Sequence, residues 1–182
     1  VGGGGGRCGE GGDVVGGGGG RRRREGGGRG WCGRAVVPRI RARRRGVNVD
    51  GIGAGAPAGV RALQEIPGIT VHGHVPDLAP YMDGVRVAIA PLRFGAGVKG
   101  KVNLSMAHGQ PVVATPCAVE GMHLVDGHDV LVAEGADAFA DAVVRLYGDA
   151  SLWHRLSTNG RDNIRKHFSL DAARNAVRRI FF

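Results

Sequence analysis

The chain has 182 residues and a formal charge of +9, and twelve arginines against three acids (Glu10, Asp13, Glu25) in residues 1–46 supply all of it, since residues 47–182 carry 13 basic and 13 acidic residues. The basic balance is therefore local, which excludes reading the whole chain as a nucleic-acid surface. Three cysteines (Cys8, Cys32, Cys117) without a CxxC spacing exclude a disulfide framework or zinc ribbon and point to a reducing compartment, the cytoplasm.

No apolar run approaches the ~20 residues of a membrane span. The glycine- and arginine-rich start has no signal-peptide core. The first residue is Val1 rather than Met, as expected of a fragment or an alternative start. Residues 1–30 contain GGGGG twice and RRRR once, with almost nothing apolar. Such a segment cannot bury enough surface to offset its ordering entropy, so no fixed structure is expected. One functional reading is an Arg/Gly RNA-binding tail, although the aromatic residues that would stack on bases are absent. Two others are a disordered tail and a frame-shifted or misread stretch of a GC-rich gene.

The texture changes at Trp31. The segment WCGRAVVPRIRARRRGV sets Val36, Val37 and Ile40 against an arginine-rich side, a weak helix interrupted by Pro38. VNVDGIGAG (47–55) predicts a short strand entering a glycine turn. PAGVRALQEI (57–66) predicts a helix with Pro57 near its first turn. GITVHGHV (68–75) predicts a strand, and PDLAPYMDG (76–84) a short helix or turn. VRVAIAPL (85–92) is nearly continuous in apolar residues, as a strand buried on both faces would be. A loop at 93–98, a helix over about 99–108 and a strand at 111–115 follow. HDVLVAE (128–134) predicts another strand. Helices are expected at 137–149, 151–168 and 169–182, the last capped by Ser169. Strands alternating with helices predict an α/β fold with a doubly wound parallel sheet.

In such a sheet, ligands sit in the loops that follow the strands. The loop at 93–101 carries Gly95, Gly97 and Gly100, which allow close backbone approach, and the cations Arg93, Lys99 and Lys101. The helix that starts there adds unpaired N–H groups and a partial positive charge. These features favour a phosphate, although the spacing matches neither the P-loop nor the GxGxxG fingerprint.

The stretch GHVPDLAPYMDGVRVAIAPLRFGAGVKGKVNLSMAHGQPVVATPCAVEGMHLVDGHDVLVAE resembles the donor-binding, C-terminal domain of GT-B-fold glycosyltransferases of the group-1, family-4 type. The likeness continues through FADAVVRLYGDASLWHRLSTNGRDNIRKHFSLDAA and covers residues 31–182. It implies a Rossmann-like half of a GT-B fold that binds a nucleotide-sugar donor. The acceptor would be held by an N-terminal domain for which this chain has no room, and any peripheral membrane association would come through that missing half. No metal or cofactor is implied. The resemblance assigns the donor diphosphate to the backbone of Gly95, Ala96 and Gly97; Lys99 and Lys101, with Arg93 nearby, are read from the loop itself as the phosphate cations. The family's ribose-binding glutamate falls on Leu104, and a second common glutamate falls on Ala96, so both carboxylates are absent here. Glu120, in AVEGM, is the nearest remaining carboxylate and a candidate donor contact. The family's first strand and a phosphate-contacting loop would lie between Val14 and Arg34, where glycine and arginine dominate.

His72 and His74, two apart in VHGHV, have no third ligand at metal-binding spacing and are read as loop or core residues. Cys117 has no histidine partner that would make it a nucleophile. Three function readings remain open: the donor-binding half of a glycosyltransferase, inactive as an isolated chain; a non-catalytic nucleotide-sugar-binding relic; and an Arg/Gly-tail RNA-binding protein.

Overall fold

The computed structural model describes residues 13–16 and 28–181, with side chains from 29 to 180. Its elements follow in chain order. Strand β1 is Asp13–Gly16, followed by helix α1 (Gly28–Trp31), a π-helical turn at Cys32–Val36 and α2 (Val37–Arg43). Then come β2 (Asn48–Ile52), α3 (Ala58–Arg61), a 3-10 turn at Ala62–Glu65, β3 (Ile69–Gly73) and α4 (Ala79–Gly84). The second half has β4 (Val85–Ala90), α5 (Gly100–Ala107), β5 (Val112–Ala114), α6 (Pro116–Val119) and β6 (Leu131–Val132). Three helices close the chain: α7 (Ala136–Gly148), α8 (Ala150–Phe168) and α9 (Leu170–Phe181).

The strands form one parallel sheet in the order β3-β2-β1-β4-β5-β6. The strand order reverses between β1 and β4, and a crevice opens there beyond the carboxyl ends of the strands. The α/β, doubly wound expectation is thus met.

Within the Gly/Arg-rich segment, Asp13–Gly16 is paired with both β2 and β4, and residues 28–30 begin α1. A strand between two others is held by its neighbours' hydrogen bonds, which glycine-rich flanks do not prevent. The rest of that segment, including most of the proposed Arg/Gly tail, lies outside the described residues.

The interruption expected at Pro38 takes a specific form. Pro38 occupies the first turn of α2, at the point where the joined helix changes from π to α hydrogen bonding, so its missing N–H falls at the change of pattern. Just before it, the Val37 N–H donates to the Cys32 carbonyl, five residues back, so a π turn joins α1 to α2. The joined helix buries Val36, Val37 and Ile40. Trp31 meets Phe139 of α7 edge to face at 5.7 Å between ring centres. Gly33 sits so close to the 3-10 turn that a Cβ there would fall 2.8 Å from Leu63 Cδ2.

Alternation along the strands divides the core. Val87, Ile89, Val113 and Leu131 face α2, α7 and the start of α8, with Phe139, Val143 and Leu146 fully buried against them. Ala88, Ala90, Val112 and Ala114 face the other way, toward Val102 and Met106 of α5 and Met122. The helix assignments past residue 135 match the amphipathic pattern, and the Ser169 hydroxyl accepts the Ala172 N–H at 3.1 Å, as a cap should. Among the described residues, no helix is long and apolar enough to cross a membrane.

Candidate functional site

Residues 91–99 run from the end of β4 to the start of α5, at the carboxyl edge of the sheet. Two groups from β5 and α6 hold this loop. The Thr115 hydroxyl donates to the Leu92 carbonyl, and Cys117 Sγ lies 3.5 Å from the Gly95 carbonyl oxygen. Gly95 and Gly97 have φ of +146° and +75°, values that L side chains rarely adopt, so the loop's path depends on glycine.

The two lysines that look alike in the sequence do different things. Lys99 is only 8% exposed, and its ammonium turns back onto the Gly97 carbonyl at 2.5 Å. A buried charge without a partner would be costly, so this contact fixes both the side chain and the turn. Lys101 is exposed along part of its length, but its tip leans across toward β2. A Cβ on Gly53 would fall 3.5 Å from Lys101 Nζ. Its pKa is lowered, first by burial of the ammonium and second by the positive charge of Arg29.

Among the described residues, no carboxylate pairs with Arg29, Arg93 or Lys101. Arg29 therefore lies near enough for its positive charge to oppose that of Lys101, an arrangement an anion would relieve. The first turn of α5 points its free N–H groups into the same region. Arg93, Gly95, Ala96 and Gly97 are all exposed on this loop.

Beside Lys101 a cavity of about 330 Å³ opens between the sheet, α4 and α5. Ile52, Gly53 and Ala54 form one wall, His74, Val75 and Leu78 another, and Leu104 and Ser105 a third. Ala88 and Ala90 of β4 form its floor, and their small side chains leave the space open. The volume lies within the range of small-molecule pockets, and the walls are mainly apolar. Glu120 is exposed at the end of α6 and is not part of the cavity wall. Of the residues picked from sequence, the structure brings Lys101 to the cavity and groups Arg93, Gly95, Ala96, Gly97 and Lys99 in the loop at its rim.

Sequence reasoning missed Arg29 and the wall formed by Ile52, His74 and Leu78. Arg29 is one of seven arginines in residues 1–34, and composition alone could not single it out. The apolar wall comes from segments joined only by the fold. His72, just short of His74, hydrogen-bonds Asp50 of β2 through Nε2, and its ring packs against Tyr81 of α4 at 4.9 Å. His108 ends α5, with Nδ1 3.1 Å from Asp83 Oδ1.

Comparison with known proteins agrees with this geometry. The family described as "Glycosyl transferases group 1" matches residues 20–149. No curated protein sequence matches the chain. A sucrose-phosphate synthase from Thermosynechococcus elongatus superposes with TM-score 0.71 at 20% identity, covering 94% of this chain and 46% of that one. HepE from Anabaena, in complex with UDP and glucose, gives TM-score 0.73 at 11% identity, covering 94% and 48%. The C-terminal domain of LpcC, a group 1 glycosyl transferase from Francisella tularensis, gives 0.69 at 18% identity, covering 89% and 88%. The chain thus spans about half the length of the two larger proteins and most of the isolated domain. It belongs to the group 1 glycosyl transferases and has the fold of the C-terminal, Rossmann-like half of the GT-B architecture.

Proposed function

We propose that this chain is the donor-binding half of an enzyme that moves a sugar from a nucleotide-sugar to an acceptor held by the other half of the fold. The observation that carries the reading is the apolar cavity walled in part by Lys101, a cation at the start of α5 with no carboxylate partner among the described residues, with the positive charge of Arg29 close enough to act on it. A nucleobase is a flat ring with largely apolar faces, joined through a pentose to a diphosphate, and it would fill the cavity with the phosphates at the cationic rim. The UDP present in the HepE complex is in keeping with such a ligand.

The chemistry follows from the charges. When the bond between the anomeric carbon and the β-phosphate oxygen breaks, negative charge grows on the leaving diphosphate. In this reading the N–H groups at the start of α5 and Lys101, with Arg29 and the loop's Arg93 adding positive charge nearby, stabilise the charge that develops there. The acceptor hydroxyl attacks the anomeric carbon and gives up its proton outside this domain. Lys99 acts on the loop rather than on the ligand, because its ammonium is already engaged with Gly97. Binding of both partners across a cleft is what brings the reacting atoms together, so the chain alone is expected to bind donor without transferring sugar.

A second reading keeps the binding and drops the catalysis: a nucleotide-sugar-binding relic. It is favoured by the absence of any carboxylate among the described cavity residues. Sugar transfer by the chain together with an acceptor domain would reject it. The binding claim is tested by titration calorimetry with UDP-, GDP-, ADP- and dTDP-glucose. At least one should bind saturably, and Lys101→Ala should weaken it by about one to two decades, the worth of one charge-assisted contact. No binding by any of the four would overturn the proposal.

A further inference from the structure

The cavity has an unusual inventory of polar groups for one that would hold a ribose. Among the described residues its polar side chains are His74, Lys101 and Ser105. Lys101 can only donate hydrogen bonds. Ser105 stands on α5 and His74 on the loop after β3, on separate walls. Among the described residues of the cavity, no side chain offers two adjacent acceptors, which is what the vicinal hydroxyls of a ribose need.

The position of Leu104 sharpens this. If the diphosphate sits at the start of α5, the pentose bonded to it lies within about one helical turn, roughly 5.4 Å along the axis. Leu104 is three residues beyond Lys101, on the same stripe of the helix, and it lines the cavity. A pentose there meets methyl groups. A hydroxyl pressed against them without an acceptor loses its hydrogen bond to water and gains nothing. Removing one of the two hydroxyls lowers that cost, and the remaining one can use Ser105. The apolar walls also favour a base that carries a methyl group.

We infer that the pocket selects a 2′-deoxynucleoside diphosphate sugar, with deoxythymidine as the nucleoside. This rests on the nucleotide-sugar reading above and narrows it. Leu104 is the specificity-determining residue. At 38% exposure it can be replaced by a polar side chain without opening the core.

The test is titration calorimetry on the full chain with UDP, dUDP, ribothymidine diphosphate and dTDP, which separates the effect of the 2′-hydroxyl from that of the 5-methyl group, and with GDP and ADP for comparison. Each deoxy compound should bind about tenfold tighter than its ribose counterpart, the cost expected of one unpaired hydroxyl, and dTDP should bind best. Leu104→Glu should raise UDP affinity and shrink or reverse the deoxy preference, while Lys101→Ala should weaken all of them alike. Should circular dichroism show Leu104→Glu to be misfolded, Leu104→Gln makes the same test. Equal or tighter binding of the ribose forms, or binding confined to GDP and ADP, would overturn this inference and leave the nucleotide-sugar reading standing. If no nucleoside diphosphate binds, both fall together.

Discussion

The two faces of the sheet are built from the same strands and serve different ends. Toward α2 and α7, β4 presents Val87 and Ile89, and the helices answer with Phe139, Val143 and Leu146, all fully buried. Toward α4 and α5, the same strand presents Ala88 and Ala90, and β5 presents Ala114. Large residues fill the first face, and small residues leave a cavity on the second. A strand with period two can place stability on one side and a binding site on the other, one residue apart.

The largest test of that contrast is on the filled face. Phe139→Ala should cost about 3–5 kcal/mol in a denaturation titration, because a buried ring is lost and Trp31 loses its partner. Nucleotide affinity of the folded fraction should not change. On the open face, Ala88→Leu places a larger side chain into existing space. Stability should move by no more than about 1 kcal/mol, whereas nucleotide binding measured by calorimetry should fall at least about tenfold, or ~1.4 kcal/mol. If Ala88→Leu unfolds the chain as Phe139→Ala does, the two faces are not different in kind.

A third prediction concerns the dryness of the filled face. Cys32 is buried there, and burial pushes its thiol from 9.0 up to about 12. The folded state keeps this proton while the unfolded state loses it above pH 9, so the group's contribution to stability is lost as pH rises from 9 to 12. Wild type should lose about 1.4 kcal/mol per pH unit more than Cys32→Ala across that window, measured by urea denaturation. Equal slopes would mean that water reaches the thiol. The smallest effect is expected at Arg155 of α8, an exposed residue whose guanidinium donates to the Gly127 carbonyl at 3.4 Å. Arg155→Ala should leave nucleotide affinity unchanged and stability within about 0.5 kcal/mol.

Much of this asymmetry was legible in the sequence. The near-continuous apolar run of VRVAIA gave away a central strand, and the 3.6-residue pattern gave α7 and α8. The glycines and cations of FGAGVKGK marked the loop that rims the cavity. Other features were not visible, for physical reasons. β1 is four residues among glycines, and its order comes from hydrogen bonds on both edges rather than from its own side chains. β6 is two residues long, too short to show a period. Lys99 and Lys101 sit two apart with the same chemistry. Only the backbone path through Gly97 sends one ammonium onto a carbonyl and the other toward the cavity. The cavity itself joins Ile52, His74 and Leu104, residues that no local pattern connects.

The central claim is that a nucleoside diphosphate occupies the open face with its phosphates at the start of α5. A crystal structure of the chain with bound dTDP or UDP tests it most directly. The account predicts phosphate oxygens within hydrogen-bond reach of the 95–101 backbone and of Lys101, with the nucleoside between Leu104, His74 and the floor of Ala88 and Ala90. A nucleotide found elsewhere on the chain, with this cavity still empty, would contradict it.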